Sequence, residues 1–455
     1  MTDFSAVVER QRAYFFTQAT KPYAFRLEQL KRLWAWIEKN EGEILSALRQ
    51  DLGKSECEGY LTEVAMVKQE LKDALRRLKG WMKPARAPTA LGQFPGRCRV
   101  YSEPYGVVLI MSPWNYPFQL TLAPLIGAIG AGNCAVVKPS AYSAATSGLL
   151  SRMVSETFSP EYIAVVEGGR KENAGLLEQK FDYLFFTGSP AVGRLVMEKA
   201  SAHLTPVSLE LGGKSPVIVD ETADIALTAR RLAWGKYLNA GQTCVAPDYA
   251  LVHHSREQAL AEALVSEIRR MYGSAPLKNA DYPKIINEHH FERLVGLLSG
   301  GVVTHGGQID AGERRISPTV LTDVDWDSPL MQEEIFGPLL PILTFGRLEE
   351  AIRQIQSRPK PLALYLFTQS RDAERRVLAE LSFGGGCVND TVLHLATSHM
   401  PFGGVGESGM GGYHGKYSFD TFSHRKSVLK RGAKPDISLR YAPYEGKLKK
   451  VKRLM

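Results

Sequence analysis

Residues 106–117 read GVVLIMSPWNYP, a continuous apolar run that stops at Ser-Pro-Trp-Asn. Apolarity that continues instead of alternating predicts a strand buried on both faces, as in a parallel sheet covered by helices. Further runs of this kind are Cys134–Val137, Ile163–Val166 and Tyr183–Phe186, with helices predicted from Pro117, Tyr142 and Pro190. The alternation of strand and helix predicts an α/β fold with a nucleotide-binding architecture.

A second alternating series follows and predicts a second parallel-sheet unit. Its strands are predicted at Ser215–Val219, Ala250–Val252, Leu339–Phe345, Leu362–Phe367 and Gly386–Asn389, with helices from Ala223, Arg256 and Leu348. Two α/β units in one chain place the expected ligand cleft between them, at the carboxyl ends of their strands. Before the first unit, residues 1–80 have a helical period, and residues 81–95 predict a connector.

The distribution of charge argues against a nucleic-acid partner. The 455 residues have a formal charge of +8, and the excess lies in Arg425–Met455, where eleven Lys or Arg face Asp436 and Glu445. A nucleic-acid-binding protein spreads basic side chains along a reading face, so we interpret this tail as a solvated or dimer-contacting end. Contact with a membrane surface is the alternative.

Cysteine content and hydropathy predict a cytoplasmic protein. Five widely spaced cysteines predict free thiols, and the start of the chain has no secretory signal pattern. The longest apolar stretches, Tyr105–Met111 and Leu120–Ala131, are shorter than the roughly 20 residues of a spanning helix, so we expect no integral membrane segment. The histidines lack a metal-ligand spacing, and we expect no metal site.

Three side chains are candidates for chemistry. Cys244 ends the small, polar turn Asn-Ala-Gly-Gln-Thr-Cys, where an exposed thiol of lowered pKa would be a nucleophile; a buried structural cysteine is the alternative. Glu210 stands in an apolar strand, where burial would raise its pKa and suit a general base; a paired structural acid is equally consistent. Asn115 could donate its amide to an oxyanion, although asparagine is common before turns.

Two glycine-containing segments could hold a phosphate. The sequence Gly404-x-Gly406-x-x-Gly409 has the letters of a dinucleotide fingerprint, but no strand precedes it and no helix follows, so we interpret it as a loop. The segment Phe186-Thr187-Gly188-Ser189 ends a predicted strand, and Ser189-Pro190 begins a helix that contains Gly193. Its backbone N–H groups could receive a pyrophosphate; an ordinary capped turn is the alternative.

Seven motifs, in this order, resemble the aldehyde dehydrogenase superfamily over about residues 5–429. They are Pro113–Pro117, Lys138–Ser140, Phe186–Ser189, Glu210–Lys214, Gly241–Cys244, Glu333–Pro338 and Pro401–Gly404. Within the superfamily the chain resembles the class 3 branch most, through the segments Gly235–Tyr237, Cys244–Tyr249 and Tyr413–His424. The resemblance implies that Cys244 is the nucleophile, that Glu210 is the general base, and that Asn115 and the Cys244 N–H form the oxyanion hole.

The resemblance also implies that NAD or NADP is the cofactor. Lys138 would bind the adenosine ribose and Ser189 the pyrophosphate, in a turn shaped by Gly188 and Gly193. Glu334 would bind the nicotinamide ribose, and Phe336 would contact the ring. Many NAD-preferring relatives carry Glu where this chain has Ala141, so we predict that NADP is used at least comparably to NAD.

The implied fold has two parallel-sheet domains and a small arm. Residues 1–82 and 104–210 would form a Rossmann-like dinucleotide-binding domain with a helical lead-in, and residues 211–400 the catalytic domain. Residues 83–103 and 401–455 would form a bridging or oligomerisation arm of a homodimer.

The implied reaction oxidises a medium- or long-chain aliphatic or an aromatic aldehyde to a carboxylic acid, through a cysteine thiohemiacetal and a thioester. A variant that passes the acyl group to coenzyme A or phosphate is disfavoured by the carboxylate of Glu210. A cysteine esterase that needs no dinucleotide, and a catalytically idle binding protein, are two further hypotheses.

Overall fold

The apolar run after Gly106 forms a strand within a six-stranded sheet of the computed structural model. The structure describes residues 4–434, 436 and 438–454. Residues 1–3, on which the signal-sequence argument partly depends, and the terminal Met455 lie outside the described residues.

The strands are numbered in chain order. They are β1 (Ala85–Ala87), β2 (Arg97–Pro104), β3 (Val107–Met111), β4 (Cys134–Lys138), β5 (Ile163–Val165), β6 (Tyr183–Gly188), β7 (Val207–Leu211), β8 (Pro216–Val219), β9 (Tyr249–His253), β10 (Val302–His305), β11 (Ile309–Asp310), β12 (Arg315–Ile316), β13 (Thr319–Thr322), β14 (Leu339–Phe345), β15 (Ala363–Phe367), β16 (Gly385–Val388), β17 (Gly409–Met410) and β18 (Ser423–Lys430).

The α-helices are numbered in the same way. They are α1 (Phe4–Phe16), α2 (Tyr23–Lys39), α3 (Glu41–Leu52), α4 (Glu56–Gly59), α5 (Ala65–Trp81), α6 (Gln119–Ala131), α7 (Ala144–Thr157), α8 (Arg170–Leu177), α9 (Pro190–Ser201), α10 (Ile225–Tyr237), α11 (Glu257–Tyr272), α12 (Glu288–Leu297), α13 (Pro329–Gln332), α14 (Leu348–Gln356), α15 (Arg371–Glu380), α16 (Lys416–Thr421) and α17 (Leu448–Leu454).

The first sheet has the strand order β17-β7-β6-β3-β4-β5, and all its neighbours are parallel except β17 and β7. Every residue of β3 and β4 is buried, as continuous apolarity predicts. Helix α6, between these two strands, is buried on all sides and ends at Gly132, whose φ of 92° suits a residue without a β-carbon.

The second sheet has the order β10-β13-β14-β9-β8-β15-β16, and only the β10–β13 pair is antiparallel. The predicted α/β class with two parallel-sheet units is therefore confirmed. The predicted strands agree with the observed ones to within a residue or two, but three strands of these two sheets were missed: the antiparallel edge strands β10 and β17 and the parallel strand β13. All three are short, and β17 is glycine-rich, so none gives a clear apolar pattern.

A third sheet joins segments from distant parts of the chain in the order β1-β2-β18. Strand β18 pairs with β2 over eight residues, and seven of its eight residues are exposed. Within the segment assigned to the arm, Gly409 and Met410 lie instead at the edge of the first sheet, paired with Glu210 and Leu209. This placement was not predicted, because the glycine-rich sequence there has no strand period.

Residues 4–82 are mostly helical, as their period predicts, and they pack on the first sheet. Arg12 of α1 pairs with Asp182, whose carboxylate also accepts the Val107 N–H at 2.8 Å at the start of β3. Between α4 and α5 the chain forms a π-helical turn, Tyr60–Val64, which places Glu63 in the interior.

Candidate active site

A cavity of about 880 Å³ lies between the two large sheets. The first sheet contributes the carboxyl ends of its strands, but the second contributes amino ends, including Tyr249 at the start of β9. We expected carboxyl ends from both sheets, and this is wrong for the second. The chain crosses directly from the end of β7 to the start of β8 through Gly212–Ser215, so the end of one strand must face the beginning of the next.

Cys244 lies in the wall of this cavity and is half-buried. It follows α10 and a tight turn in which Asn239 and Ala240 both have a φ of 51°, an uncommon left-handed conformation for residues with a β-carbon. Burial, together with the nearby carboxyls of Glu334 and Glu210, raises the pKa of the Cys244 thiol to about 12. A nucleophilic thiol was expected to have a lowered pKa, and the structure shows the opposite because burial disfavours the charged thiolate.

Asn115 follows β3 and lies in the same wall, with its side chain buried. Its Nδ2 donates to the Gln242 carbonyl at 3.0 Å, two residues before Cys244. An amide nitrogen carries two N–H groups, so one remains for an oxygen in the cavity. The adjacent Tyr116 hydroxyl lies 2.6 Å from Thr243 Oγ1 and ties the same two segments together.

Glu210 lies in β7 and contributes to the cavity wall, although it is almost wholly buried. No side chain or backbone group of the described residues is hydrogen-bonded to either of its carboxyl oxygens. Burial raises the pKa of Glu210 well above its usual range, because desolvation disfavours the charged form of the carboxyl. Such an unpartnered acid beside a thiol is costly as pure structure and is typical of a functional group.

Glu334 and Phe336 belong to a loop that reaches the cavity from the second sheet. Burial raises the pKa of Glu334 to about 8, and Asp248 contributes to this rise. The loop is held by Lys214, which pairs with Asp248 and donates to the Leu330 and Glu333 carbonyls at 2.7 and 2.9 Å. Phe336 has a φ of 50°, and its ring meets the Trp114 ring edge-on at 5.3 Å.

The turn after β6 also lines the first-sheet side of the wall. Gly188 and Ser189 line the cavity, and Ser189 Oγ accepts the Val192 N–H at 3.4 Å as the cap of α9. A β-carbon on Gly188 would stand 2.5 Å from the Phe186 ring, so only glycine fits there. The neighbouring Thr187 hydroxyl has no hydrogen-bond partner among the described residues.

Two of the predicted cofactor residues lie outside the cavity wall. Gly193 packs within α9, where a β-carbon would stand 2.6 Å from Leu211, so its role in the structure is close approach of helix and strand. Lys138 is buried at the end of β4 and donates to the Pro139 and Gly168 carbonyls at 2.8 and 2.7 Å. The other seven, Asn115, Gly188, Ser189, Glu210, Cys244, Glu334 and Phe336, line one cavity.

Sequence reasoning missed the polar residues behind this wall. Lys214 and Asp248 fix the Glu334 loop, while Lys54, Glu58 and Glu63 reach the site from the helical lead-in. Their signal in the sequence is weak. Glu63, four residues before Val67, is buried, but a carboxylate in a helical segment is typical of an exposed residue, so its burial follows only from the tertiary structure.

Comparison with known proteins decides the family. A family model described as "Aldehyde dehydrogenase family" matches residues 1–428. The chain belongs to the aldehyde dehydrogenase family. The predicted resemblance is therefore confirmed, and with it NAD(P)-dependent oxidation of aldehydes to carboxylic acids as the activity of the family to which this site belongs.

The relatives include members of the class 3 branch. The chain is 51% identical to 4,4'-diaponeurosporen-aldehyde dehydrogenase of Staphylococcus aureus, over 97% of this chain and 96% of that protein. It is 48% identical to aldehyde dehydrogenase family 3 member B1 of Homo sapiens, over 97% and 95%.

Solved structures agree with the fold. The substrate-bound state of Staphylococcus aureus AldH superposes with a TM-score of 0.98 at 49% identity, over 100% of this chain and 99% of that one. Indole-3-acetaldehyde dehydrogenase in complex with NAD+ superposes with a TM-score of 0.86 at 25% identity, over 94% and 89%.

In the part of the chain that the structure describes, no helix has the length and apolarity that a membrane span requires. Within the same part of the chain, no three His, Cys, Asp or Glu side chains are grouped so that they could hold a metal ion.

Proposed function

We propose that this cavity oxidises aldehydes to carboxylic acids with Cys244 as nucleophile, Asn115 as oxyanion donor and Glu210 as general base. The observation that carries the proposal is that these three side chains, which are far apart in the sequence, line one cavity together with the turn at Gly188 and Ser189. A thiol, an amide donor and an unpartnered buried acid around one space are the groups that acyl chemistry at a carbonyl carbon requires.

The residues present fit a dinucleotide cofactor. The amino terminus of α9 lies at the cavity, and its first N–H groups and its dipole favour binding of a pyrophosphate. Because Gly188 has no side chain, the backbone can approach the pyrophosphate closely. We assign Ser189 and the turn shaped by Gly188 and Gly193 to the pyrophosphate, Glu334 to the nicotinamide ribose and Phe336 to the ring. Bound NAD or NADP would supply the acceptor for the hydride of the substrate.

Lys138 is assigned to the adenosine ribose from a position behind the cavity wall. Two of its three ammonium N–H groups are used by the Pro139 and Gly168 carbonyls, so one is free to donate. Ala141, three residues later, is exposed and brings no carboxylate to this region. We propose on this ground that NADP is accepted at least as well as NAD.

The side chains would act in sequence on the substrate. The Cys244 thiol would lose its proton to water and its sulfur would add to the aldehyde carbon, and the resulting alkoxide would accept hydrogen bonds from the free Asn115 N–H and the Cys244 backbone N–H. Loss of hydride leaves a thioester on Cys244. Ionised Glu210 then takes a proton from water, whose oxygen attacks the thioester carbon and releases the acid and the thiolate.

A direct assay tests this function. Purified protein with aldehydes of increasing chain length and aromaticity, given NAD or NADP, should produce reduced nicotinamide and carboxylic acid in equal amounts. We expect medium- or long-chain aliphatic or aromatic aldehydes to give the highest kcat/KM. Cys244→Ala should abolish turnover and keep cofactor binding. Acid formation from an aldehyde without a dinucleotide, or by Cys244→Ala, would contradict the proposal.

We propose further that residues 1–82 and 104–210 form the dinucleotide-binding domain and that residues 211–400 form the catalytic domain. Residues 83–103 and 401–455, apart from the edge strand Gly409–Met410, would form an arm that bridges a homodimer. The exposed strand β18 supports a second copy as the partner, because an uncovered strand edge favours pairing. Light scattering on the purified protein measures the mass. The five free cysteines support a cytoplasmic location.

A further inference from the structure

A buried ion pair lies behind the proposed oxyanion donor. Lys54 Nζ donates to Glu63 Oε1 at 2.6 Å, and both side chains are fully buried. Lys54 follows the end of α3, and Glu63 belongs to the π-helical turn Tyr60–Val64. A buried ion pair is weak evidence for stability, because desolvation of both charges offsets their attraction, so the pair calls for another explanation.

The pair holds the backbone at Asn115 and at the start of the helix that follows. Lys54 Nζ donates to the Asn115 carbonyl at 3.0 Å and lies 3.9 Å from the centre of the Tyr116 ring. Glu63 Oε2 accepts the N–H groups of Phe118 and Gln119 at 2.9 and 3.0 Å. Those N–H groups begin α6, whose own capping residue supplies no side-chain hydrogen bond. The turn from β3 to α6 is therefore held at Asn115 and at the start of α6 by one ion pair.

The same polar cluster reaches the Cys244 loop. Asn239 Nδ2 donates to the Asn115 carbonyl at 2.8 Å and to the Gln242 carbonyl at 3.1 Å. Glu58 Oε1 accepts the Asn239 N–H at 2.9 Å. The Asn115 carbonyl thus receives one donor from the helical lead-in and one from the loop that carries the sulfur, so a shift of either segment would change the relative position of amide and thiol.

We propose that Lys54 and Glu63 are positioning residues for the oxyanion: they hold the Asn115 backbone so that its free side-chain N–H points at the oxygen of a substrate attached to Cys244. The inference depends on the function proposed above. An oxyanion donor is effective only within a few tenths of an ångström of its position, and Asn115 Nδ2 already donates one N–H to Gln242, so the direction of the second follows from the backbone.

The test is the double variant Lys54→Met/Glu63→Gln, which removes both charges of the pair together, so that neither partner is left as an unpaired buried ion. The amide introduced by Glu63→Gln keeps an oxygen for the first N–H groups of α6, and the Asn115 carbonyl keeps Asn239 as a donor, so the protein is expected to fold. We expect kcat to fall at least about tenfold, compared with the roughly 10²–10³-fold that loss of one oxyanion donor costs. The Kd for NAD and for NADP should not change.

A double-mutant cycle separates positioning from a general structural effect. In protein that already carries Asn115→Ala, the double variant should lower kcat less than about twofold further, because the amide that it positions is absent. The rate of Cys244 alkylation by iodoacetamide, which needs no oxyanion donor, should stay within about twofold of the parent.

The matched control is Arg12→Met/Asp182→Asn, which removes an ion pair between the same helical lead-in and the opposite end of the first sheet. It should lower Tm and leave kcat unchanged. Unchanged kcat in folded Lys54→Met/Glu63→Gln, or a full further loss in the Asn115→Ala background, would overturn the inference. Absence of aldehyde oxidation in the unaltered protein would instead contradict the proposed function.

Discussion

The carboxyl group of Glu334 lies directly against Gly212: a β-carbon on residue 212 would stand 2.0 Å from Glu334 Oε2. Gly212 follows the strand that carries Glu210, and Glu334 comes from a loop more than a hundred residues later. The adjacent Gly213 backbone N–H is also hydrogen-bonded to this carboxyl group and lowers its pKa against the effect of burial. Gly212 and Gly213 therefore hold the carboxyl group of Glu334, the residue proposed to bind the nicotinamide ribose, in place.

Gly212→Ala should displace Glu334 and leave the fold intact. Misplacement of a positioning group by about 1 Å can cost roughly 10²-fold, so kcat/KM for the cofactor should fall between roughly tenfold and a hundredfold. Gly213→Ala is the control, because the nearest atom to its added β-carbon lies at 3.6 Å, an ordinary contact. Steady-state kinetics with varied NAD and NADP measure both variants; equal effects at 212 and 213 would contradict the role of the Glu334 contact.

Alkylation of Cys244 by iodoacetamide should accelerate with pH in protein without cofactor. Burial raises the pKa of the thiol to about 12, so the thiolate fraction, and with it the rate, should grow about tenfold per pH unit between neutral pH and pH 10. Glu334→Gln removes a carboxylate that raises this pKa and should speed alkylation above pH 8, where Glu334 is ionised. If the alkylation rate instead levels off near neutral pH, the pKa of Cys244 is not raised, and a group that the structure does not place beside the sulfur stabilises the thiolate.

Glu210→Gln should slow release of the acid more than formation of the thioester. General-base catalysis contributes about 10²–10⁴-fold, so steady-state turnover should fall within that range while a burst of reduced nicotinamide persists. In the unaltered protein turnover should rise with pH, since burial raises the pKa of Glu210 and only the ionised carboxylate accepts a proton. Rapid-mixing absorbance resolves the two phases; loss of the burst would assign Glu210 to the first step instead.

Ala141→Glu should shift the cofactor preference toward NAD. A carboxylate on this exposed residue would repel the 2′-phosphate of NADP and could accept hydrogen bonds from the ribose hydroxyls of NAD. We expect the ratio of kcat/KM values, NADP over NAD, to fall about tenfold, or ~1.4 kcal/mol. Ala141→Gln, of equal size and no charge, should change the ratio far less. If the unaltered protein strongly prefers NAD, the prediction that it uses NADP at least comparably is wrong.

The secondary structure was largely predictable because its signals are local. The buried strands at 107–111 and 134–138 and the helix after Ser189-Pro190 follow from continuous apolarity and from capping chemistry, which involve only neighbouring residues. The small polar turn before Cys244 likewise marked a thiol outside the core. The edge strand at Gly409 could not be predicted from the sequence, because its glycines give no apolar pattern and the strand forms only by pairing with Glu210 and its neighbour.

Sequence alone determined the α/β class, the order of the elements and the candidates for the reactive side chains, since periodicity, turn residues and motif order are properties of adjacent positions. Tertiary structure decided which of them meet: Asn115 bonds to Gln242 across 127 positions, while Lys138 and Gly193 remain behind the wall of the cavity. It also decided the direction of the Cys244 pKa shift and the place of the Lys54–Glu63 pair. Burial and electrostatic fields come from residues brought close only by folding, so no local pattern encodes them.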